Sequence, residues 1–392
     1  MEHPVGCWKK CILGLTLIAV LICYYWTTKI PVKIKQKMRG PIEYENNSRE
    51  RTAKIQKAAD FQKSQDTAKE LKDVPVVLLM TYMRSGSTFL GDIVQQLPSV
   101  LYSYEPLRRY MEKGYYLTRD RGSCNTSNGK CRNTLENKYR FIIDNIKKFF
   151  NCDSQKLDLK FTRSQKSNTW FQLCAHEAEP EKCVSKVISL CSSAVRIIKT
   201  IRLSMDVVQE LMENIPNLKV AHLLRDPRGM INSRRKTIPY FQYNKKKMSQ
   251  IARAVCDRYH RDISIGQSLK VKYPNRIKTV LYEQIAQRPL ETSIRIFKFL
   301  GLQPKRNFKS WLMEHIAGDP KMSVGHPAFS TVRANSTVTA NSWRIQLSLD
   351  NVMDIDRECS QVYEYTGYLA VKNSTVLKNL NISVRKKNTN FP

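Results

Sequence analysis

The sequence lacks the Gly-Lys-Ser/Thr ending of the phosphate-binding loop that kinases and NTPases use. Its single Gly-Lys pair, Gly129-Lys130, lies in a polar segment between Cys124 and Cys131, with no apolar strand before it. No internal repeat is present either. These absences argue against a kinase, an NTPase or a repeat protein.

Acidic residues are scarce. The 392 residues include 66 lysines and arginines but only 34 aspartates and glutamates, for a net charge of +32. So basic a chain suits an anionic partner, such as nucleic acid, a membrane surface or a sulfated glycan. The sequence contains no RNA-binding signature, zinc-finger spacing or helix-turn-helix pattern. We therefore expect no nucleic acid among its partners, and favour an anionic glycan and a membrane.

The sequence contains no Cys-x-x-Cys pair, which argues against a zinc site as the explanation of its eleven cysteines. An even number of cysteines in an exported domain predicts disulfides. The spacing does not determine the pairing, although Cys124 with Cys131 would close a short loop. Zinc is the competing interpretation, but His176 is the one histidine within 152–191. The eight cysteines beyond the N-terminal region are Cys124, Cys131, Cys152, Cys174, Cys183, Cys191, Cys256 and Cys359.

Residues 11–28 form an uncharged apolar run of 18 residues, long enough to span a thin bilayer. A cleaved signal peptide is the rival interpretation, but no small-residue cleavage site follows the run. We predict a cytoplasmic tail at 1–10, a signal anchor at 11–28 and a polar luminal stem at 29–73. The flanking charges oppose this orientation, whereas five glycosylation sequons after the run support it. These begin at Asn46, Asn125, Asn335, Asn373 and Asn381.

From residue 74 onward, apolar runs alternate with helical patterns. A continuous apolar run is typical of a parallel strand covered on both faces. The predicted fold class is α/β, a P-loop-like doubly wound parallel sheet with helices on both faces, preceded by a single N-terminal transmembrane helix. A cysteine-rich stretch from about 110 to 190 is expected to be an insertion on the acceptor side. The predicted strands are 74–82, 100–104, 194–201, 219–224 and 276–282, and the predicted helices are 88–97, 136–150, 203–214 and 293–300.

Two strand-to-helix turns each begin with an arginine. One is Arg84–Thr88 (Arg-Ser-Gly-Ser-Thr), and the other is Arg225–Ser233 (Arg-Asp-Pro-Arg-Gly-Met-Ile-Asn-Ser). Such a turn directs several backbone N–H groups at one point, where an anion binds. In the second turn, Asp226 is the expected N-cap and Pro227 the first helical residue. Two such turns imply a ligand with two separated anionic groups, such as a phosphorylated nucleotide.

These motifs resemble those of the Golgi carbohydrate sulfotransferases, the branch that sulfates the 6-hydroxyl of galactose, N-acetylglucosamine or N-acetylgalactosamine. The resemblance covers residues 74–370, the predicted catalytic domain, and includes weaker matches at Tyr104–Leu107, Tyr282–Ala286 and Ser342–Arg344. It implies a type II Golgi membrane enzyme with a luminal catalytic domain. Its activity would be transfer of a sulfuryl group from 3′-phosphoadenosine 5′-phosphosulfate (PAPS) to a sugar hydroxyl of a glycan or proteoglycan chain.

The resemblance also assigns the donor site, with no metal expected. The 3′-phosphate is assigned to Arg225 and Ser233. The 5′ end of the donor is assigned to a continuous loop, consisting of Met83, Arg84, Ser85, Gly86, Ser87, Thr88 and Phe89.

Three residues are candidates for the chemistry. Glu105, in the Glu-Pro motif, is the expected base for the hydroxyl proton, unless it only pairs with an arginine such as Arg108. Arg84 is expected to stabilise charge on the leaving phosphate. Lys199 could touch the sulfate or the acceptor, or form a surface pair with Arg202. His222 is a rival base, but its apolar strand predicts a core position.

Two features depart from the family pattern. Arg108 and Arg109 stand where relatives have an aromatic residue, which would suit an acceptor that is already sulfated or carboxylated. Residues 371–392 have no counterpart and are predicted to be a C-terminal extension. The alternative function is that of a membrane-anchored glycan-binding protein that has kept the fold and lost catalysis.

Overall fold

Five buried apolar strands form a parallel sheet in a computed structural model of the protein. The structure describes residues 75–153, 157–158, 161, 179, 182, 191–237, 248–318 and 330–386. The strands of this sheet are β1 Val76–Met80, β2 Val100–Tyr104, β6 Val195–Thr200, β7 Leu218–Leu224 and β8 Ile277–Leu281. Their order in the sheet is β2-β6-β1-β7-β8, and all neighbouring strands are parallel. A small antiparallel sheet, which the sequence did not predict, consists of β3 Tyr115–Leu117, β4 Ser123–Asn125 and β5 Cys131–Arg132.

Both faces of the parallel sheet are covered, as the apolar run of β1 predicts. Val76, Leu78 and Met80 pack into one hydrophobic core, whereas Val77 and Leu79 pack into a second core on the opposite face. The predicted parallel α/β fold is confirmed.

The helices follow the predicted order, and the predicted helix at 293–300 begins earlier, at Pro289. Short 3-10 helices span Pro106–Arg109 and Cys191–Ser193. The α-helices are α1 Ser87–Val94, α2 Glu136–Phe150, α3 Met205–Asn214, α4 Pro227–Thr237, α5 Met248–Lys272, α6 Tyr282–Gln287, α7 Pro289–Leu300, α8 Phe308–Ala317, α9 Ser336–Asn341, α10 Trp343–Gln346, α11 Leu349–Glu358, α12 Ser360–Thr366 and α13 Ser374–Lys378.

Three disulfides join described cysteines, so the prediction of disulfide bonding is confirmed. Cys124 pairs with Cys131 across strands β4 and β5, as the short loop between them suggested. The other two bonds are Cys152–Cys191 and Cys256–Cys359. Cys174 and Cys183 lie outside the described residues.

The predicted tail, anchor and stem at 1–73, and the sequon at Asn46, also lie outside the described residues. Among the helices that the structure describes, none is both long enough and apolar enough to cross a bilayer.

The segment after residue 370 packs onto the rest of the domain. The guanidinium of Arg344, which is 1% exposed, donates hydrogen bonds to four carbonyl oxygens of that segment. They belong to Val376, Leu377, Asn379 and Ile382. Because Arg344 lies in α10, the C-terminal segment holds this helix in place.

Candidate active site

The turn after β1 is tightly folded around Ser85. Its hydroxyl donates to the Tyr82 carbonyl at 2.8 Å and accepts the Tyr82 N–H at 3.2 Å. Arg84 and Gly86 both adopt left-handed backbone conformations, with φ of 68° and 90°. A Cβ on Gly86 would lie 2.2 Å from the Tyr282 ring, so glycine is required for steric as well as backbone reasons.

This turn delivers the chain into α1 without a side-chain cap. Gly86 is the N-cap residue and has no side chain with which to bind the first N–H groups of the helix. Ser87, Thr88 and Phe89, in the first turn, line a cavity. A helix N-terminus that opens into a cavity is suited to bind an anion.

The second turn is built differently. The Asp226 carboxylate accepts the Arg228 N–H at 2.9 Å, and Pro227 begins α4, as predicted. The same carboxylate forms an ion pair of 2.9 Å with the Arg228 guanidinium. The Asp226 carboxylate thus caps one N–H group at the N-terminus of α4. Helix α4 borders the cavity both through Gly229, in its first turn, and through Ser233, farther along its side.

Direct contacts join the two arginine motifs. Arg84 Nε donates to Ser233 Oγ at 3.0 Å, and Arg225 Nη1 donates to the Arg84 carbonyl at 2.9 Å. The Arg225 guanidinium lies 4.4 Å from the centre of the Tyr282 ring. Arg225 Nε is buried and has no hydrogen-bond partner among the described residues. The two segments therefore form one site, with a buried donor still available.

The cavity between the motifs, the candidate active-site cavity, has a volume of about 500 Å³. No aspartate or glutamate is among its described lining residues. No group of three or more histidine, cysteine, aspartate or glutamate side chains that could hold a metal occurs in the described part of the chain. The cationic lining residues are Arg84, Lys199, Arg225, Lys236 and Arg333.

Burial and the neighbouring cations oppose the charged form of Arg84. Burial, followed by repulsion from Arg225 and Arg333, lowers the pKa of Arg84 to about 10. Arg84 remains protonated at neutral pH, but its charged form is opposed by its neighbours. A bound anion would relieve this repulsion, so the electrostatics favour a ligand with several negative charges.

Most of the predicted donor-binding residues lie at this cavity. Ser85 is the exception: it is fully buried inside the turn and does not line the cavity. Arg333 was missed, because it lies outside every strand-to-helix turn and no local pattern singles it out. The predicted residues that line the cavity are Met83, Arg84, Gly86, Ser87, Thr88, Phe89, Arg225 and Ser233.

The family of the chain follows from comparison with known proteins. Residues 75–306 match the model of the sulfotransferase family. The protein belongs to the sulfotransferase family. The predicted enzyme class, a PAPS-dependent sulfotransferase, is thereby confirmed.

Curated relatives match most of the chain. Carbohydrate sulfotransferase 1 of Danio rerio is 27% identical over 357 residues, which cover 81% of this chain and 83% of the relative. Carbohydrate sulfotransferase 5 of Homo sapiens is 25% identical and covers 79% and 81%. Carbohydrate sulfotransferase 3 of Tetronarce californica is 25% identical and covers 84% and 80%. Among solved structures, mouse sulfotransferase SULT7A1 complexed with PAP aligns with a TM-score of 0.40 at 8% identity, covering 74% of this chain and 85% of that one.

In this sulfotransferase, Glu105 lies behind the cavity wall rather than in it. Its carboxylate accepts hydrogen bonds from Lys199 Nζ at 2.6 Å, from Arg202 Nη1 at 2.5 Å and from the Ile201 N–H at 3.1 Å. Its backbone is left-handed, with φ of 51°. The partner of Glu105 is thus Arg202 with Lys199, and not Arg108, which is exposed on the 3-10 helix.

Lys199 connects Glu105 to the cavity. It lines the cavity and lies over the Tyr104 ring at 4.4 Å. Burial opposes its charged form, but Glu105 and Tyr104 outweigh burial, so that its pKa is raised. Lys199 is therefore a cation at neutral pH. The alternative of a surface pair with Arg202 is wrong, because the two residues are 2% and 6% exposed.

His222 is a core residue, as its apolar strand predicted. It is 1% exposed, does not line the cavity, and its Nε2 lies 2.8 Å from the Tyr82 hydroxyl. Burial, assisted by the nearby Arg258 cation, lowers the pKa of His222 to about 3. These properties make it a poor candidate for the catalytic base.

Proposed function

We propose that this sulfotransferase transfers the sulfuryl group of PAPS to a sugar hydroxyl in an anionic glycan or proteoglycan chain. The 6-hydroxyl of galactose, N-acetylglucosamine or N-acetylgalactosamine is the proposed acceptor position. The observation that carries the proposal is the contact between the two arginine motifs around a cavity without acidic lining residues.

The cavity fits a donor with two separated anionic ends. Arg84 and the first turn of α1, including Ser87 and Thr88, would hold the 5′-phosphosulfate. Arg225 and Ser233 would hold the 3′-phosphate, and Arg225 Nε, which no described residue binds, offers it a buried donor. Arg333 adds positive charge beside Arg84 and Arg225.

In the proposed reaction, the acceptor hydroxyl oxygen forms a bond to sulfur while the bond between sulfur and the 5′-phosphate oxygen breaks. Arg84 would offset negative charge on the leaving phosphate. Lys199, held as a cation by Glu105, would face the sulfuryl group from the cavity wall. Glu105 remains the candidate for the base that takes the hydroxyl proton, although its present hydrogen bonds also suit a role in positioning Lys199.

The acceptor is proposed to be a glycan because the curated relatives are named carbohydrate sulfotransferases. Arg108 and Arg109 are exposed on the 3-10 helix that follows Glu105. Two exposed cations three and four residues after Glu105 would attract an acceptor that already carries sulfate or carboxylate groups.

The decisive experiment combines donor binding with transfer. Adenosine 3′,5′-bisphosphate should raise the melting temperature of the purified protein, and radiolabelled donor should label at least one glycan in a panel differing in terminal sugar. Transfer to a galactose, N-acetylglucosamine or N-acetylgalactosamine acceptor, with the label at the 6-position, would support the full proposal. The proposal is overturned if neither stabilisation nor transfer is observed at saturating ligand.

We also propose a single-pass type II location in the Golgi membrane, with the catalytic domain in the lumen. The three disulfides suit an oxidising compartment. Sequon exposure gives a test. Asn335, Asn373 and Asn381 are exposed, whereas Asn125 is buried and its Oδ1 is bound by Ser127. Glycosidase treatment should therefore remove glycans from the exposed sites and none from Asn125, and a protein without N-glycans would contradict the location.

A further inference from the structure

A second cleft lies on the open edge of the parallel sheet, at the beginning of β8. It has a volume of about 320 Å³ and is formed by the last turns of α5, the first residues of β8 and the second half of α7. It shares no lining residue with the active-site cavity. Its apolar floor includes Ile277 and Phe299.

The described walls of this cleft carry positive charge only. Lys270, Lys278, Arg295 and Lys298 line it, and no aspartate or glutamate does. Arg295 is paired with Glu291 at 2.5 Å. The three lysines form no ion pair with any residue that the structure describes. Of the four cations that line the cleft, only Arg295 is therefore neutralised by a described residue.

The high net charge of the protein does not by itself explain why cations line this cleft without any aspartate or glutamate. A third surface cavity, between α2 and α3, is lined by cations interleaved with Glu136, Asp144 and Glu210. Helix dipoles explain the positions of two of the lysines, because Lys270 and Lys298 lie in the last turns of their helices, where cations are favoured. They do not explain Lys278, which lies in a strand and points into the same cleft.

Lys278 shows that the cations oppose one another. Burial, followed by repulsion from Lys270 and Arg295, lowers the pKa of Lys278. Cations that repel each other gain most from a ligand whose negative charges persist at neutral pH. Sulfate esters have this property, and a flexible chain of them can contact cations that are spread over two helices and a strand.

We propose that this cleft is a second binding site of the enzyme, which holds a sulfated segment of the glycan whose next acceptor sugar lies in the active site. The inference rests on the proposed glycan acceptor. Strand β8 runs between the two sites, since Ile277, its first residue, lines the cleft and Tyr282, the residue after its end, lines the active-site cavity. At about 3.3 Å per residue, these positions are roughly 17 Å apart. Binding in the cleft raises the local concentration of acceptor groups at the active site.

Charge reversal in the cleft tests the proposal. The variant is Lys270→Glu with Lys278→Glu, and Lys270→Gln with Lys278→Gln is a milder version. The matched control is Lys138→Glu with Lys372→Glu, which makes the same change in net charge at two exposed lysines elsewhere. The probes are a fluorescent chondroitin sulfate polymer and its chemically desulfated form. Binding is measured with adenosine 3′,5′-bisphosphate saturating the active site.

The cleft variant is expected to bind the sulfated polymer about tenfold more weakly and with a smaller salt dependence, whereas the control is expected to stay within about twofold of the unmodified protein. In transfer assays, kcat/KM should fall about tenfold for a long sulfated acceptor and remain unchanged for a disaccharide. Equal losses in the cleft variant and the control, or equal binding of sulfated and desulfated polymers, would overturn the proposal.

The binding measurement and the transfer assay together separate this inference from the proposed function. The binding measurement requires no catalysis, so an enzyme that transfers to no glycan would contradict the proposed function without deciding the binding result. Conversely, full activity with unchanged polymer binding in the cleft variant would contradict the cleft alone. Melting temperatures confirm that each variant is folded.

Discussion

Lys199 Nζ lies 2.6 Å from Glu105 Oε1, and both side chains are at most 5% exposed. Arg202 binds the other carboxylate oxygen at 2.5 Å. A buried carboxylate thus stands between two cations, of which Lys199 reaches the active-site cavity. Whether Glu105 accepts a proton or only positions Lys199 determines how the acceptor hydroxyl is activated.

Glu105→Gln separates these roles. If Glu105 is the base, turnover should fall by roughly 10²-fold or more, because a positioned base contributes 10²–10⁴ in rate. Donor affinity should be retained, since the change lies behind the cavity wall. Initial rates at saturating donor measure turnover, and thermal melting checks folding. Turnover within a few-fold of normal in a folded variant would exclude Glu105 as the base.

A double-mutant cycle with Lys199→Met completes this test. If Glu105 acts only through Lys199, then Glu105→Gln should cause little further loss of turnover in the Lys199→Met background. If Glu105 is the base, the two losses should multiply. The pH dependence of kcat/KM gives an independent measurement, because loss of a base removes the acidic limb of the profile.

Arg84→Ala and Arg225→Ala should have different kinetic effects. Arg84→Ala is expected to lower kcat by roughly 10²–10³, because Arg84 is proposed to contact the leaving phosphate, where charge develops. Arg225→Ala should instead weaken donor binding by roughly 10- to 100-fold, since a charged hydrogen bond present in both ground and transition states contributes about 1.5–3 kcal/mol.

Ser233→Ala is the milder variant for comparison, because it removes a hydroxyl proposed to bind the 3′-phosphate, and its hydrogen bond to Arg84, while leaving both guanidinium groups in place. It should weaken donor binding by only a few-fold, since a neutral hydrogen bond contributes about 0.5–1.5 kcal/mol. Steady-state kinetics and calorimetric binding of adenosine 3′,5′-bisphosphate measure the two effects. Normal donor affinity and full turnover in both arginine variants would show that the donor site is assigned incorrectly.

His222→Gln should make the free energy of unfolding less dependent on pH below about pH 6.5. Burial lowers the pKa of His222 to about 3, so the folded protein holds it neutral while the unfolded chain binds a proton below about pH 6.5. Its contribution to stability is therefore fully present above pH 6.5 and is lost as the pH falls towards 3, by about 1.4 kcal/mol per pH unit.

Between pH 7 and pH 5, the unmodified protein should therefore lose about 2 kcal/mol more unfolding free energy than His222→Gln. Glutamine can still hydrogen-bond the Tyr82 hydroxyl, so the comparison isolates the titration of residue 222. The nearby groups Arg258 and Asp262 are common to both proteins and cancel. Urea unfolding at pH 7 and pH 5 measures the free energy of unfolding of both proteins. Equal losses in the two proteins would contradict burial of a neutral histidine.

Truncation after Ala370 tests whether the C-terminal segment is a separable extension. The truncation removes the four carbonyl acceptors of Arg344 together with the core side chains Val371 and Leu377, which should destabilise the protein by roughly 3–5 kcal/mol. Donor affinity should also fall, because Ser342 and Gln346, on either side of Arg344, line the active-site cavity.

Truncation after Lys386 is the matched control, because it spares every residue of the segment that the structure describes. Its melting temperature should equal that of the full chain. Differential scanning calorimetry compares the three proteins. Equal melting temperatures for the full chain and the form ending at Ala370 would show that the segment contributes nothing to the catalytic domain.

Local patterns in the sequence predicted the elements of the fold. Every parallel strand was predicted to within two residues of its observed ends, because continuous apolar runs have few other solutions in an α/β protein. The turn chemistry at Asp226 and Pro227 correctly placed the beginning of α4. The small sheet β3–β5 was missed, since its strands are two or three residues long and leave no periodic signal.

The sequence by itself determined the sulfotransferase fold and the two arginine motifs, because both depend on residues that are close together in the chain. Tertiary structure alone decided which side chains meet. It placed Glu105 between Lys199 and Arg202, brought Arg333 to the active-site cavity and joined Arg84 to Ser233 across 149 positions. Such contacts depend on the packing of distant elements, whose geometry no local pattern encodes.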